Sequence, residues 1–216
     1  MFKEVLLENI TEKRGSKRSK VHGIGINDAP YKTSITIQGV KYTCPYYARW
    51  LYMLNRCHSK NWLKRHPTYI GCTIHPEWYV FSSFKSWMLT QDWKDKQLDK
   101  DLLSLGNKHY SPANCLFVSR QINSLFNERE NDQGDLPLGV YKRNDKYEVG
   151  ISYGKGKRTW VGAYSSIPEA IDAYVFAKVK AVQIALQNEP NKQVRDAVKK
   201  YSIYFTDKLN MLKTAY

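Results

Sequence analysis

The sequence has no cysteine pair at knuckle or redox spacing: its four cysteines, Cys44, Cys57, Cys72 and Cys115, are scattered along 216 residues. That pattern speaks against a disulfide scaffold and a standard zinc knuckle, both of which need closely spaced thiols. Structural zinc is therefore not expected, although His58 and His75 lie near Cys57 and Cys72. No window approaches the roughly 20 apolar residues of a membrane span. The opening segment carries Lys3, Glu4 and Glu8 where a secretory leader would be apolar. The expectation is an intracellular protein with no membrane partner. Acidic residues are also scarce, 20 Asp and Glu against 34 Lys and Arg, leaving a formal charge of +14. A chain with that balance is expected to meet polyanions.

What is present supports a folded protein, since 42% hydrophobic and 13% aromatic residues supply the apolar area that a disordered basic tail lacks. At this length two small modules fit better than one domain. Near the start, Lys13, Arg14, Lys17, Arg18 and Lys20 gather among Gly15, Ser16 and Ser19 without apolar periodicity. This reads as a basic arm suited to phosphates or a minor groove. Alternation in Ser34 to Thr43 around Gln38-Gly39 predicts a hairpin, and Pro45 then opens a helix whose stripe is Trp50, Met53, Leu54 and Cys57. A second stripe, Trp78, Phe81, Phe84, Trp87 and Met88, recurs at helical spacing over Glu77 to Leu89. Both stripes read as core. From Gln97 to Phe126 the pattern is a short strand, turns at Gly106-Asn107 and Ser111-Pro112, and a helix from about Arg120. Asn127 to Gly134 is a polar linker.

Leu138 to Tyr164 contains three strand candidates divided by Asn144-Asp145 and by Gly154-Lys155-Gly156, which predicts a three-stranded antiparallel sheet. In the middle strand Tyr147, Val149 and Ile151 point one way and Lys146, Glu148, Gly150 and Ser152 the other; in the third, Val161 and Ala163 oppose Arg158 and Trp160. Ser166 to Glu169 matches a capping box, and the helix after it carries Ala170, Ile171, Tyr174, Ala177 and Ala181 on one side, fit to cover the apolar face. The other face offers Tyr141, Arg143, Lys146, Arg158 and Trp160 to DNA. Leu138 to Arg143, Lys146 to Ser152, Arg158 to Tyr164 and Pro168 to Tyr174 together resemble the plant Apetala or ethylene-response-factor type DNA-binding domain, which also occurs in phage homing endonucleases. The resemblance implies that Arg143, Arg158 and Trp160, with Lys142 in the same strand, contact DNA. Gly150 and Ser152 depart from the family's usual glutamate and arginine, so its sequence preference does not carry over.

Leu98 to Asn123 resembles the ββα-metal core of phage HNH endonucleases. The likeness implies Asp99 and Asn123 as ligands of one Mg²⁺ or Mn²⁺, with Asn114 as the middle asparagine that ties the loop. Two hard ligands leave the ion open positions for a phosphate oxygen and the leaving group. The position of the family's general-base histidine, directly after the acidic ligand, is Lys100, a poor base at neutral pH unless strongly desolvated. His109 in the intervening loop, or the more remote His75, could supply an imidazole. Asp101 alternates with Asp99 and is expected either beside a basic residue or in solvent.

The resulting expectation is an α+β protein: a divergent ββα-metal core with aromatic-rich helices, then a three-stranded antiparallel sheet packed on one helix. Its parts are a basic arm at 1–25, a nuclease domain at 26–128, a linker at 129–135, a DNA-binding domain at 136–190 and a basic C-terminal helix at 191–216, with Val194, Val198 and Tyr201 toward a core. The expected activity is metal-dependent hydrolysis of duplex DNA, a nick for a monomer and more for a homodimer, in host cytoplasm if the gene is phage-borne. The alternatives are a non-catalytic DNA-binding regulator derived from such an enzyme and a nucleic-acid packaging protein.

Overall fold

The computed structural model describes residues 19–126, 136–152 and 158–213, without the side chains of Phe126, Arg158 and Leu212. Lys17, Arg18, the linker at 129–135 and the turn at Gly154 to Gly156 lie outside the described residues. The architecture is mixed α+β. Its strands are β1 (Ser34–Ile37), β2 (Val40–Thr43), β3 (Thr73–Ile74), β4 (Lys96–Asp99), β5 (His109–Tyr110), β6 (Leu116–Ser119), β7 (Val140–Arg143), β8 (Lys146–Ser152) and β9 (Arg158–Tyr164). Its helices are α1 (Pro45–His58), α2 (Lys60–Arg65), α3 (Phe81–Leu89), α4 (Arg120–Phe126), α5 (Ile167–Gln187) and α6 (Lys192–Lys213). No described helix is long and apolar enough to cross a membrane. The chain forms two compact units, Met1–Lys94 with Gly106–Phe117, and Asp95–Leu105 with Val118–Tyr216.

In the first unit β1 and β2 form the antiparallel hairpin expected around Gln38-Gly39, with Ile37 opposite Val40. Gln38 and Gly39 have φ of 50° and 76°, the left-handed pair whose twist suits a two-residue loop. Pro45 sits in the first turn of α1, where its missing N–H costs no helical bond. Trp50, Met53, Leu54 and Cys57 are buried along α1 as their spacing predicts, and the Trp50 indole N–H donates to Trp78 O at 2.7 Å.

The second aromatic stripe is helical over only part of its length. Pro76 to Tyr79 makes a 3₁₀ turn and α3 begins at Phe81, because Val80 is extended, with φ −96° and ψ 126°. The cause is long-range: Ile26 N donates to Tyr79 O at 2.8 Å and Phe81 N donates to Ile26 O at 2.9 Å, a bridge that takes the bonds a continuous helix would use. Trp78, Phe81, Phe84 and Met88 are buried all the same, and Trp87 stacks on Phe117 with centroids 5.7 Å apart. A short parallel pairing joins β3 to β5, setting Thr73 beside His109.

In the second unit β4 pairs with β6 and packs against α4, whose first turn is capped by Ser119 Oγ accepting from Ile122 N at 3.1 Å. β7, β8 and β9 form one antiparallel sheet in that order. Val140, Val149 and Ile151 are buried on its inner face, and α5 covers that face with Ala170, Ile171, Tyr174, Ala177 and Ala181, all buried. Ser166 Oγ accepts from Glu169 N at 3.4 Å, while the Glu169 carboxylate accepts from Ser165 N at 3.1 Å, so the capping exchange forms one residue earlier than a strict box would place it. α6 packs on α5 and adds Phe205 and Leu209 to the core beside the expected Val194, Val198 and Tyr201.

Two details of the sheet depart from simple alternation or depend on close approach. A β-bulge falls where Val149 faces Gly162 but Gly150 faces Trp160, leaving Val161 without a direct partner. Val161 still turns to the core, whereas Ala163 is exposed on Trp160's side rather than inward as alternation had it, because the extra residue reverses the parity beyond it. Gly139, with φ 82°, lies so close to Tyr174 that a Cβ there would be 2.1 Å from the ring.

Candidate nucleic-acid interface and candidate metal centre

The outward face of the β7–β8–β9 sheet gathers the residues expected to meet DNA. Tyr141 is directly opposite Glu148, Arg143 opposite Lys146, and Gly150 opposite Trp160. Arg143 and Lys146 are exposed and Trp160 is 67% exposed, unusual for so large an apolar ring. Because Gly150 has no side chain, the Trp160 ring borders a shallow recess of about 150 Å³ shared with Tyr141, Glu148 and Val149. Arg158 is opposite Ser152 in the same register. Lys142 is exposed but pairs with Tyr147, whose parity is that of the helix-covered face. Sequence reasoning passed over Glu148 as a functional residue. It is the acidic member of this face, with Arg143 Nη1 3.7 Å from its Oε1.

Asp99 ends β4, half-buried, and its Oδ1 accepts from Asp101 N at 2.9 Å and Leu102 N at 2.7 Å. Oδ2 accepts no hydrogen bond among the described residues. Desolvation raises the Asp99 carboxyl above the ordinary carboxylate range, outweighing the stabilisation of its charge by those two N–H groups and by Lys100. Asn123 lies on α4, where its Nδ2 donates to Gln97 Oε1 at 2.6 Å. Gln97 precedes Asp99 by two positions, so the two side chains share one side of β4, and Asn123 meets that side. Nothing in the sequence singled out Gln97 except this alternation. Lys100 is buried with its Nζ 2.5 Å from Asp101 Oδ1, so Asp101 stands beside a basic residue, one of the two outcomes expected for it. A buried ammonium in an ion pair donates hydrogen bonds and accepts none.

The remaining candidates, His109, Asn114 and His75, belong to the first unit. Thr73 Oγ1 lies 2.8 Å from His109 Nδ1, across the β3–β5 pairing. Asn107 grips the His109 backbone from both sides, its Nδ2 donating to His109 O at 2.8 Å and its Oδ1 accepting from His109 N at 3.0 Å. Asn114 Nδ2 reaches that same Oδ1 at 3.5 Å, so the loop-tying role expected of Asn114 falls mainly to Asn107. The His75 ring lies 6.4 Å from that of His109, and its buried Nδ1 has no hydrogen-bond partner among the described residues. Among the described residues no three of His, Cys, Asp or Glu gather around a common point. His58 Nε2 lies 3.1 Å from the Tyr79 hydroxyl, and burial, aided by His22, holds its pKa below the ordinary imidazole value.

Comparison of the chain with protein-family models, with curated proteins and with solved structures finds no match.

Proposed function

We propose that the chain is a metal-dependent DNA endonuclease of the phage homing type, which grips duplex DNA with the outward face of the β7–β8–β9 sheet and nicks it. The observation that carries the DNA-binding half is that face: Arg143, Lys146 and Trp160 stand exposed on a sheet whose other side is closed by α5, in a chain of charge +14. A narrow strand ribbon fits a major groove, and its cations bind phosphates while its other polar groups reach base edges.

For the cleaving half, the donor set suits a hard divalent cation. Asp99 Oδ2 and Asn123 Oδ1 are oxygens without a hydrogen bond among the described residues, and hard cations prefer oxygen ligands. Asp99 and Asn123 would hold magnesium or manganese, which would supply charge stabilisation to a phosphodiester under attack. The two backbone N–H groups on Oδ1 fix the direction of the Asp99 carboxylate, and Gln97 fixes the Asn123 amide. His109, in the first unit, has its Nδ1 2.8 Å from Thr73 Oγ1, and an imidazole is the side-chain type suited to accept a proton from water near neutral pH.

A second reading, a non-catalytic sequence-specific DNA-binding regulator on the same scaffold, is favoured by Lys100, which occupies the position of the family's base and is buried against Asp101. The test is incubation of the purified chain with supercoiled DNA containing its site and Mg²⁺ or Mn²⁺, beside the Asp99→Ala/Asn123→Ala variant. Nicking by the natural chain that disappears in the variant, with duplex binding retained, supports the nuclease. Tight binding without cleavage under either metal replaces it with the regulator.

A further inference from the structure

We infer that Glu148 and Arg143 together read one G·C base pair of the duplex, an inference that rests on the DNA-binding reading above. Glu148 stands at the centre of the outward face, with Tyr141 opposite on β7 and Ala163 opposite on β9. A carboxylate at that point repels phosphate and weakens any face that binds only the backbone. It suits a face that meets base edges, where a carboxylate accepts from the amino group of cytosine.

The neighbouring arginine completes the match. The Arg143 side chain is 74% exposed and that of Glu148 32%, so the guanidinium projects outward while the carboxylate stays at the sheet surface, 3.7 Å away. Together they present a donor beside an acceptor. In the major groove a G·C pair offers the complement, guanine O6 and N7 as acceptors beside the cytosine amino donor. An A·T pair sets the adenine amino group between N7 and thymine O4, two acceptors that a carboxylate repels. Gly150, two residues along β8 on the same side, leaves the recess beside Trp160 through which a base edge can approach. The ion pair also limits the directions open to Arg143, so less rotamer freedom is lost on contact.

The test uses the full chain. Duplexes bound from a random pool define the site, and dissociation constants are then measured for single base-pair changes with the natural chain, Glu148→Ala, Glu148→Gln and Arg143→Ala. The natural chain is expected to prefer G·C at one position by roughly ten- to a hundredfold. Glu148→Ala reduces that preference to within a few fold, while affinity for unrelated duplex stays level or rises because a negative charge is gone. Glu148→Gln moves the preference toward A·T, since glutamine pairs with adenine N6 and N7. Arg143→Ala also relaxes that position. Unchanged base preference in Glu148→Ala, or an equal loss of affinity for every duplex, overturns the inference and leaves DNA binding standing. Absence of duplex binding by the natural chain overturns the DNA-binding reading and this inference together.

Discussion

Asp99 and Gly139 illustrate opposite uses of a single position. The Asp99 carboxyl is raised by desolvation, so the folded state holds the proton more tightly than the unfolded chain does. As pH rises from the ordinary carboxylate range through the raised value, the fold resists ionisation and stability is lost. Asparagine keeps an oxygen for the Asp101 and Leu102 N–H groups and carries no charge. Asp99→Asn is therefore expected to melt above the natural chain near neutral pH, with the gap closing as pH falls toward the ordinary carboxylate value. A gap that is the same at both pH values would show that burial of charge is not its cause. Gly139 serves packing alone. Gly139→Ala forces a side chain into a left-handed backbone and against the Tyr174 ring, at a cost of about 2 kcal/mol or more, read from denaturant midpoints.

α4 is a short helix that carries Asn123 and depends on its neighbours for order, since seven residues are too few to hold a helix alone. One support is Lys178 of α5, buried, whose Nζ donates to Leu125 O near the end of α4 and lies 4.8 Å from the centre of the Phe205 ring. Lys178→Ala removes that donor and opens a cavity, a loss of roughly 2 to 4 kcal/mol. Amide exchange in α4 is expected to quicken more than in β8, which keeps its partners on both sides. Equal protection changes in α4 and β8 would mean that Lys178 supports the core generally and not α4 in particular. At the start of α5, Ser166→Ala deletes the acceptor for Glu169 N and is expected to lower stability by about 1 kcal/mol in a thermal melt.

For the molecule as a whole, the charge of +14 means that the DNA binding proposed above should be an ionic-strength effect before it is a sequence effect. Affinity is expected to fall linearly with salt on a double-logarithmic plot. Lys146→Ala, which removes an exposed cation from the outward face of the β7–β8–β9 sheet, should lower the magnitude of that slope by about 1 and weaken every duplex alike. A change in base preference from Lys146→Ala would instead place it among the base-contacting residues.

Much of this protein was legible from short-range patterns. The Gln38-Gly39 hairpin, the buried stripe of α1, the three-stranded sheet and the cap at Ser166 each rest on residues within a few positions of one another, where backbone propensity and side-chain period act directly. For Asp101 the sequence left two outcomes open, a basic neighbour or solvent, and the fold sets it beside Lys100. What the tertiary structure decided lies at longer separation. Ile26 breaks the aromatic helix at Val80, Thr73 finds His109 across a parallel pairing, Gln97 holds Asn123, and Lys178 reaches Leu125. The bulge in β9 turns Ala163 outward. None of these has a local signature, because each is settled by which backbone donors and acceptors remain unsatisfied after collapse and by which distant segment can reach them.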